Sequence, residues 1–360
     1  MKKKLQQLAT WLTIENQSFP ETVVTGISID TRTITEGDLF IPFRGEAVNG
    51  HRFVEQAFEK GAAASLWMKD EPNPPEHLPL IFVDDPEQAL QKMAECYRNE
   101  HKATFIGITG SNGKTSSKDI LAGTLSPYFK VQKTIGNFNN QLGLPITILQ
   151  LDEDTEISVL EMGMSGFGEI EFLTKLARPH YVIITNIGEA HMQDLGSREG
   201  IAKAKFEIVK GLDEEGLLFF DGDEPLLQSL VAKTPNLNTQ SFGFTGNQGL
   251  VASNIVATAQ GSSFHVEGAI NGDFFISVLG EHQVKNTLNA MLVSKALGLT
   301  DEQIREALKQ VVLTDMRMQL ISVGELLFIN DAYNAAPTSM HAAIHFIEQT
   351  TIRKEKWLVL

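Results

Sequence analysis

Thr104-Phe105-Ile106-Gly107-Ile108-Thr109-Gly110-Ser111-Asn112-Gly113-Lys114-Thr115-Ser116 is an apolar run, a glycine turn and then a lysine–threonine pair. A helix-like pattern continues from Ser117 to Leu125. A strand that runs through glycines into a helix makes a phosphate cradle. The glycines let backbone N–H groups turn inward, and the new helix adds the positive end of its dipole. Lys114 reaches toward outer phosphates, and the Thr115 hydroxyl suits an accompanying magnesium ion. The strict form of this loop carries a glycine five positions before Gly113, where this chain has Ile108. The loop is therefore a variant, and its flanking strand and helix carry the assignment.

Around this loop, residues 102–210 alternate short apolar runs with helical patterns. Glu156–Met162 and Tyr181–Asn186 are strand-like and are separated by a helical stretch. That order predicts a parallel sheet with crossover helices, whose ligand crevice lies at the carboxyl ends of the strands. Residues 217–280 turn β-rich, with Leu217–Phe220, Phe264–Glu267 and Phe274–Leu279 broken by glycines. Helices are predicted near Val284–Leu297 and Asp301–Gln310. From Asp315 a further unit starts, with Leu320–Val323, Leu326–Ile329 and a helix from about Ser339.

Upstream, residues 1–101 read as a small α/β domain. Leu5, Leu8 and Leu12 mark an opening helix, Phe40-Ile41-Pro42-Phe43 a strand end, and Arg52–Lys60 a helix. Ala63–Met68 and Ile81–Val83 are strand-like, and Asp70-Glu71-Pro72-Asn73-Pro74-Pro75 is a surface loop because its prolines forbid regular structure. The expected division is thus 1–101, 102–314 and 315–360, in an α/β chain. Trp357-Leu358-Val359-Leu360 looks like the start of a buried strand. A third domain of only ~45 residues buries little apolar surface, so a truncated form of a longer protein is expected.

Composition narrows the classes. A net charge of −15 argues against a broad nucleic-acid surface. The single cysteine, Cys96, rules out an intrachain disulfide and any multi-cysteine metal site, as in a reducing cytoplasm. No apolar run approaches the ~20 residues of a membrane span, and Leu5-Gln6-Gln7-Leu8 breaks any signal-peptide core. A cytoplasmic protein is expected, with monomer as the default state.

Three more residues fall where the sheet puts its crevice. Glu161 ends a strand and is placed to supply an oxygen ligand to magnesium, the competing interpretation being a solvated strand-end carboxylate. His191 follows the strand Val182–Thr185 by a short loop; a lone histidine is more often structural. Lys205, in Ala202-Lys203-Ala204-Lys205-Phe206-Glu207, would ordinarily be a solvated helix lysine.

The loop Thr109–Thr115 followed by Glu161, His191 and Lys205 resembles the ATP-dependent Mur ligases of peptidoglycan synthesis, whose own form of the loop lacks that first glycine. Ser28-Ile29-Asp30-Thr31-Arg32, Gly37-Asp38-Leu39-Phe40 and Gly45…Asn49-Gly50-His51 resemble the UDP-binding first domain of the later-acting members. Gly136-Asn137-Phe138-Asn139-Asn140…Gly143-Leu144-Pro145, Glu161-Met162-Gly163-Met164 and Asn330-Asp331-Ala332-Tyr333-Asn334-Ala335-Ala336-Pro337 are similar to the branch that adds D-alanyl-D-alanine. The resemblance implies a three-domain architecture: a small UDP-sugar-binding domain, a central P-loop parallel-sheet domain with an extra β region, and a Rossmann-like third domain.

It also implies the chemistry. ATP converts the carboxylate of UDP-N-acetylmuramoyl-tripeptide to an acyl phosphate, which the amine of D-alanyl-D-alanine attacks, in a site that gathers negative oxygens around metal and lysine. The ATP loop is Gly110, Ser111, Asn112, Gly113, Lys114, Thr115 and Ser116, with Lys114 on the β/γ-phosphates. Thr115 and Glu161 hold one magnesium ion and His191 the second, helped by a carbamylated Lys205. Carbamylation needs a neutral amine, hence a lowered pKa; Lys203 is the competing candidate, and motif register favours Lys205. Asn286, Arg317 and Asp331 are implied for adenine and ribose, and His282-Gln283 departs from the family's His-Asn pair. Ser28, Asp30, Thr31, Arg32, Gly45, Asn49, His51, Asn137, Asn139, Asn140, Tyr333 and Asn334 are implied for the substrate. For Tyr333 a packing role is the alternative, and for the asparagines a polar turn.

Other classes compete. A neighbouring amino-acid ligase or folylpolyglutamate synthase would lack the Asp331–Pro337 segment, and a kinase or mechanical ATPase needs neither the first domain nor the Lys205 motif. A truncated chain that binds substrate with little turnover is a further expectation, because an incomplete third domain could not close over ATP.

Overall fold

A computed structural model describes the chain except residues 15–18, 20, 47, 247, 259, 325, 336, 350–354 and 360. Two compact units emerge: Met1–Ala103 with Thr134–Ser158, and Thr104–Lys133 with Val159–Leu360.

In the first unit, four short parallel strands lie in sequence order: Gly26–Ser28, Asp38–Phe40, Ala64–Met68 and Leu80–Val83. Buried Phe40, Val54, Trp67 and Leu80 form one core cluster beside them. The helix Pro86–Glu100 begins where the sequence calls for it. Asp85 accepts from Glu87 N at 2.7 Å, and a proline opens the first turn, where its missing N–H costs nothing. The helix packs on Gly143–Leu149, and Tyr97 Oη donates to Leu151 O at 2.8 Å.

The second unit is built on a nine-stranded sheet. Its order is Gly272–Ile276, Gly261–Gly268, Leu250–Thr258, Thr239–Gly243, Leu217–Asp221, Tyr181–Ile184, Thr104–Thr109, Ile157–Glu161 and Val131–Lys133. From Thr104–Thr109 out to Leu250–Thr258 the pairings are parallel, and the two outermost are antiparallel. The central strands are buried almost end to end, as near-continuous apolar runs require when both faces are covered. Phe105, Ile106 and Ile108 are fully buried, each stabilising the fold by about 1.5–3 kcal/mol.

The β-rich region predicted after residue 217 is present, but its first strand belongs to the parallel sheet. Strands Thr239–Gly243 and Leu250–Thr258 and the helix Pro225–Ala232 carry no clear periodic signal in sequence. The helix after the glycine loop starts at Lys114, not Ser117. Gly113, at φ 81°, makes the turn, so Lys114 already stands in helical backbone. Helix Glu281–Ala296 is buried on nearly all sides and joins the Lys114–Leu125 helix through Gln283 Nε2 to Ser116 Oγ (3.3 Å) and Asn289 Nδ2 to Ser117 Oγ (3.0 Å).

The chain after Thr314 forms an antiparallel hairpin, Gln319–Val323 with Leu326–Asn330, and a helix, Pro337–Gln349. Leu279, Met318 and Phe346 form its small core. The strand expected at Trp357–Leu360 does not form among the described residues: Trp357, Leu358 and Val359 are exposed and irregular, and Leu360 lies outside them. A strand needs a neighbour to take its backbone hydrogen bonds, and none stands beside this run among the described residues. Ala336, in the predicted Asn330–Pro337 motif, also lies outside them.

Candidate active site

The loop after Thr109 is possible only with glycine at two places. Gly110 has φ 152°, and a Cβ there would stand 1.8 Å from Thr185 Oγ1. Gly113 would place one 2.5 Å from Asn286 Oδ1. Hydrogen bonds from the next strand fasten the loop. Ser111 N donates to Asn186 O (3.1 Å), Asn112 N to Asn186 Oδ1 (3.0 Å), and Thr185 Oγ1 and Asn186 Nδ2 both donate to Asn112 O (2.5 and 3.1 Å). Thr185 and Asn186 are thus functional positions that sequence reading passed over as a strand end. Their only signal was their place beside the glycine loop at the sheet's carboxyl edge.

Lys114, Thr115, Glu161 and Arg317 are brought together. Lys114 Nζ donates to Gly110 O at 2.9 Å, curling across its own loop. Thr115 Oγ1 donates to Glu161 Oε2 at 3.0 Å and accepts from Arg317 Nη2 at 2.9 Å. The Arg317 guanidinium lies 4.3 Å from the centre of the Tyr333 ring, a cation–π stack. Tyr333 thus packs on the Arg317 side chain. Burial lowers the Lys114 pKa, with Arg317 adding repulsion and Glu161 opposing. Lys118, unnoticed in the sequence, is buried 4.0 Å from Glu161 Oε2.

Lys205 is buried, with 2% of its surface exposed, whereas Lys203 two residues along the same helix is exposed. Desolvation pushes the Lys205 pKa well down, and repulsion from Lys114 adds to it. His191 takes a left-handed backbone (φ 67°), unusual for a residue with a side chain. Its pKa is lowered by burial, then by Lys205 and Lys114, against Asp194 and Glu169. Burial is the main cause of each shift, and Lys114 repels both Lys205 and His191.

Asn286 lines the loop and donates Nδ2 to Gln283 Oε1 at 3.0 Å. Asp331 accepts from Met318 N at 3.0 Å, with its pKa raised by burial. Asn334 is exposed. A cavity of about 720 Å³ opens along helix Glu281–Ala296, lined by Phe244, Asn254, His282, Lys285 and Phe346 among others. Lys285 is held there by Asp221 (2.8 Å) and Asp223 (3.0 Å) at the ends of the parallel strands.

The first-unit candidates form local networks. Ser28 Oγ donates to Asp30 O (2.9 Å), and Arg32 pairs with Asp30, whose carboxyl is held at about 2 by that hydrogen bond. Thr31 Oγ1 donates to Gln56 Oε1 at 3.2 Å. Asn49 Oδ1 accepts from His51 N (3.1 Å) and meets its ring Nδ1 (2.9 Å), while Nε2 accepts from Met68 N (3.1 Å). Both His51 nitrogens are thereby engaged, and Gly45 N donates to Val48 O at 2.9 Å in the adjoining turn. Asn139 N donates to Asn137 O at 2.7 Å. Asn140 Oδ1 accepts from Leu142 N (3.2 Å) and Gly143 N (2.8 Å), closing the polar turn before the helix.

The fit to nucleotide and metal rests on the loop itself. Ser111 Oγ and Arg317 Nε are buried and lack partners, which leaves two polar atoms for an added anion. A hydroxyl and a carboxylate, Thr115 and Glu161, are the hard oxygen donors magnesium prefers. Among the described residues no three His, Cys, Asp or Glu side chains form a metal cage. Magnesium at such loops takes one or two protein oxygens, with phosphate and water completing its shell.

Comparison with known proteins places these features. The Mur ligase middle domain matches residues 108–294, and the catalytic domain of the Mur ligase family matches residues 23–98. A Bacillus subtilis protein named UDP-N-acetylmuramoyl-tripeptide–D-alanyl-D-alanine ligase is 47% identical over 349 residues, covering 97% of this chain and 75% of that protein. A crystal structure of MurF from Acinetobacter baumannii superposes with a TM-score of 0.88 at 29% identity, covering 97% of this chain and 77% of that one. The MurF ligase from Thermotoga maritima in complex with ADP superposes with a TM-score of 0.81 at 28% identity, covering 90% and 75%. With the glycine loop, Glu161, His191 and Lys205 in the order and setting of that family, this chain belongs to the Mur ligases, on their MurF branch.

Proposed function

We propose that this chain is the ATP-dependent ligase that joins D-alanyl-D-alanine to UDP-N-acetylmuramoyl-tripeptide, releasing ADP and phosphate. The observation that carries this reading is the junction of Thr115, Glu161 and Arg317 on the glycine loop, beside the buried, charge-depleted Lys205. A carboxylate and an amine do not condense in water, so the carboxylate must first be activated. Its oxygen attacks the γ-phosphorus of ATP, ADP departs, and the acyl phosphate remains. The dipeptide amine then adds to the carbonyl, loses a proton, and phosphate leaves with the C–O bond. Lys114, the N–H groups of residues 110–116 and Arg317 offset the negative charge that accumulates. Magnesium, when bound, neutralises phosphate charge; Thr115 and Glu161 would hold one ion and His191 a second.

Lys205 carries the finer part of the proposal. An amine in its neutral form, which the lowered pKa favours, adds CO₂, forms a carbamate N–C bond and gives up a proton, so that a neutral group becomes an anion. That would make Lys205 an oxygen donor for the second metal. Asn286, Arg317 and Asp331 are assigned to the nucleoside side. Residues 1–101 are assigned to the UDP-sugar, with Ser28, Asp30, Thr31, Arg32, Gly45, Asn49 and His51 shaping that site. Asn137, Asn139, Asn140, Tyr333 and Asn334 are assigned to the peptide end. Residues 102–314 are assigned to the ATP domain and 315–360 to a third domain. A monomer working in the cytoplasm belongs to the same reading; no described helix is long and apolar enough to cross a membrane.

The test is phosphate release with ATP, UDP-N-acetylmuramoyl-tripeptide and D-alanyl-D-alanine, omitting each in turn. Pentapeptide should appear only with all three present. Phosphate release indifferent to the dipeptide, without pentapeptide, would sink the assignment.

A further inference from the structure

Arg317 reaches the glycine loop from a backbone segment with an uncommon path. Its neighbours Met316 and Met318 have φ of 62° and 51°, a left-handed region that residues with side chains seldom occupy. Such a path persists only where surrounding bonds over-determine it. Downstream the bonds are Asp331 Oδ1 with Met318 N (3.0 Å) and Tyr333 N with Met316 O (3.2 Å). Upstream, Asp119 Oδ2 accepts from both Thr314 N (2.9 Å) and Thr314 Oγ1 (2.7 Å), and Ser277 Oγ donates to Val311 O (2.6 Å) three residues before.

Asp119 stands four residues after Thr115 on the helix Lys114–Leu125, one turn along the same face. Thr314 and Arg317 are three residues apart, and they dock on these two positions, Thr314 on Asp119 and Arg317 on Thr115. Asp119 is 1% exposed, and its other oxygen takes Lys133 Nζ at 2.6 Å, which fixes the carboxylate's orientation. Both its oxygens are thus engaged, Oδ2 by Thr314 and Oδ1 by Lys133.

We infer that Asp119 is a positioning residue: by clamping Thr314 it sets the starting point of the segment that delivers the Arg317 guanidinium to Thr115 and the phosphate loop. The inference rests on the nucleotide-binding reading above. It separates Asp119 from a mere helix-to-loop tether, because its effect must pass through Arg317.

The test is calorimetric titration of the full chain with MgATP. Asp119→Asn should raise the Kd about tenfold and Thr314→Val about threefold, the scale of a lost charge-assisted hydrogen bond. Thr314→Ser keeps the hydroxyl and should stay within about twofold of the unaltered chain. In an Arg317→Ala background the further effect of Asp119→Asn or Thr314→Val should shrink below about twofold, the non-additivity of residues acting in series. In the ligase assay the same variants should raise the KM for ATP more than they lower kcat. Urea midpoints confirm that each variant is folded; if Asp119→Asn is not, the milder Thr314→Val decides. Equal losses with and without Arg317, or an unchanged Kd in both single variants, would overturn the inference. Absence of MgATP binding by the unaltered chain would instead overturn the ligase reading and take this inference with it.

Discussion

Replacing Gly110 by alanine tests the geometry of the phosphate loop at its tightest point. The new Cβ would stand 1.8 Å from Thr185 Oγ1 and 3.1 Å from Thr185 Cβ, on a backbone with φ 152°. Two costs arise. The backbone conformation is close to glycine-only, worth about 1–3 kcal/mol for any other residue. Thr185 must also swing away, which breaks its 2.5 Å hydrogen bond to Asn112 O and costs about 1 kcal/mol more. Together they come to about 3 kcal/mol, or about a hundredfold in the population of loop able to cradle phosphate. The assay is MgATP affinity by calorimetry, with the urea midpoint as a check on folding. Adding Thr185→Ala to Gly110→Ala removes the colliding oxygen but leaves the bond to Asn112 O unmade and the backbone strained, so binding should stay within about threefold of Gly110→Ala. Gly113→Ala should be milder, since its Cβ meets the side-chain amide of Asn286, with Oδ1 at 2.5 Å and Nδ2 at 3.1 Å, which can rotate. Gly110→Ala binding within twofold of the unaltered chain would refute the reasoning.

Lys205→Ala should abolish pentapeptide formation, with partial rescue by short-chain carboxylates, whereas Lys203→Ala should keep most activity because that side chain is exposed; full activity in Lys205→Ala would remove the carbamate. Desolvation holds His282 at about 4, against an ordinary 6.5. Because the unfolded chain takes up a proton at a pH where the folded chain does not, this contribution is intact above pH 6.5. It is lost as pH falls toward 4, by about 3 kcal/mol in all. His282→Gln should therefore flatten urea-midpoint stability between pH 6.5 and 4, and an unchanged slope would count against the burial of that ring.

Much of the site was legible because its signals are local. A strand, two glycines, Lys114 and Thr115 lie within thirteen residues, and backbone geometry links them without help from the rest of the chain. Glu161 and His191 were legible because each follows an apolar strand, and parallel strands end at one crevice. Thr185, Asn186, Asp119 and Thr314 gave no comparable signal. Their partners lie 73, 74 and 195 residues away, and ordinary polar residues carry no mark of a distant hydrogen bond. The strands Thr239–Gly243 and Leu250–Thr258 were hidden for a related reason: their outer faces are polar, and pairing rather than composition makes them strands.

Lys203 and Lys205 show where the division falls. Composition and order alone placed two lysines in a helix near the end of a phosphate site, two residues apart and so on opposite faces. Which of them loses its water depends on what the helix packs against, and only the tertiary structure sinks Lys205 beside Lys114 while leaving Lys203 in solvent. By itself the sequence determined the phosphate loop, the α/β class and the family, because those rest on short-range backbone geometry and ordered motifs. The charge state of Lys205, the Thr185–Asn186 latch and the route of Arg317 to Thr115 were decided by the tertiary structure, because desolvation and hydrogen bonding act between groups that only the folded chain brings together.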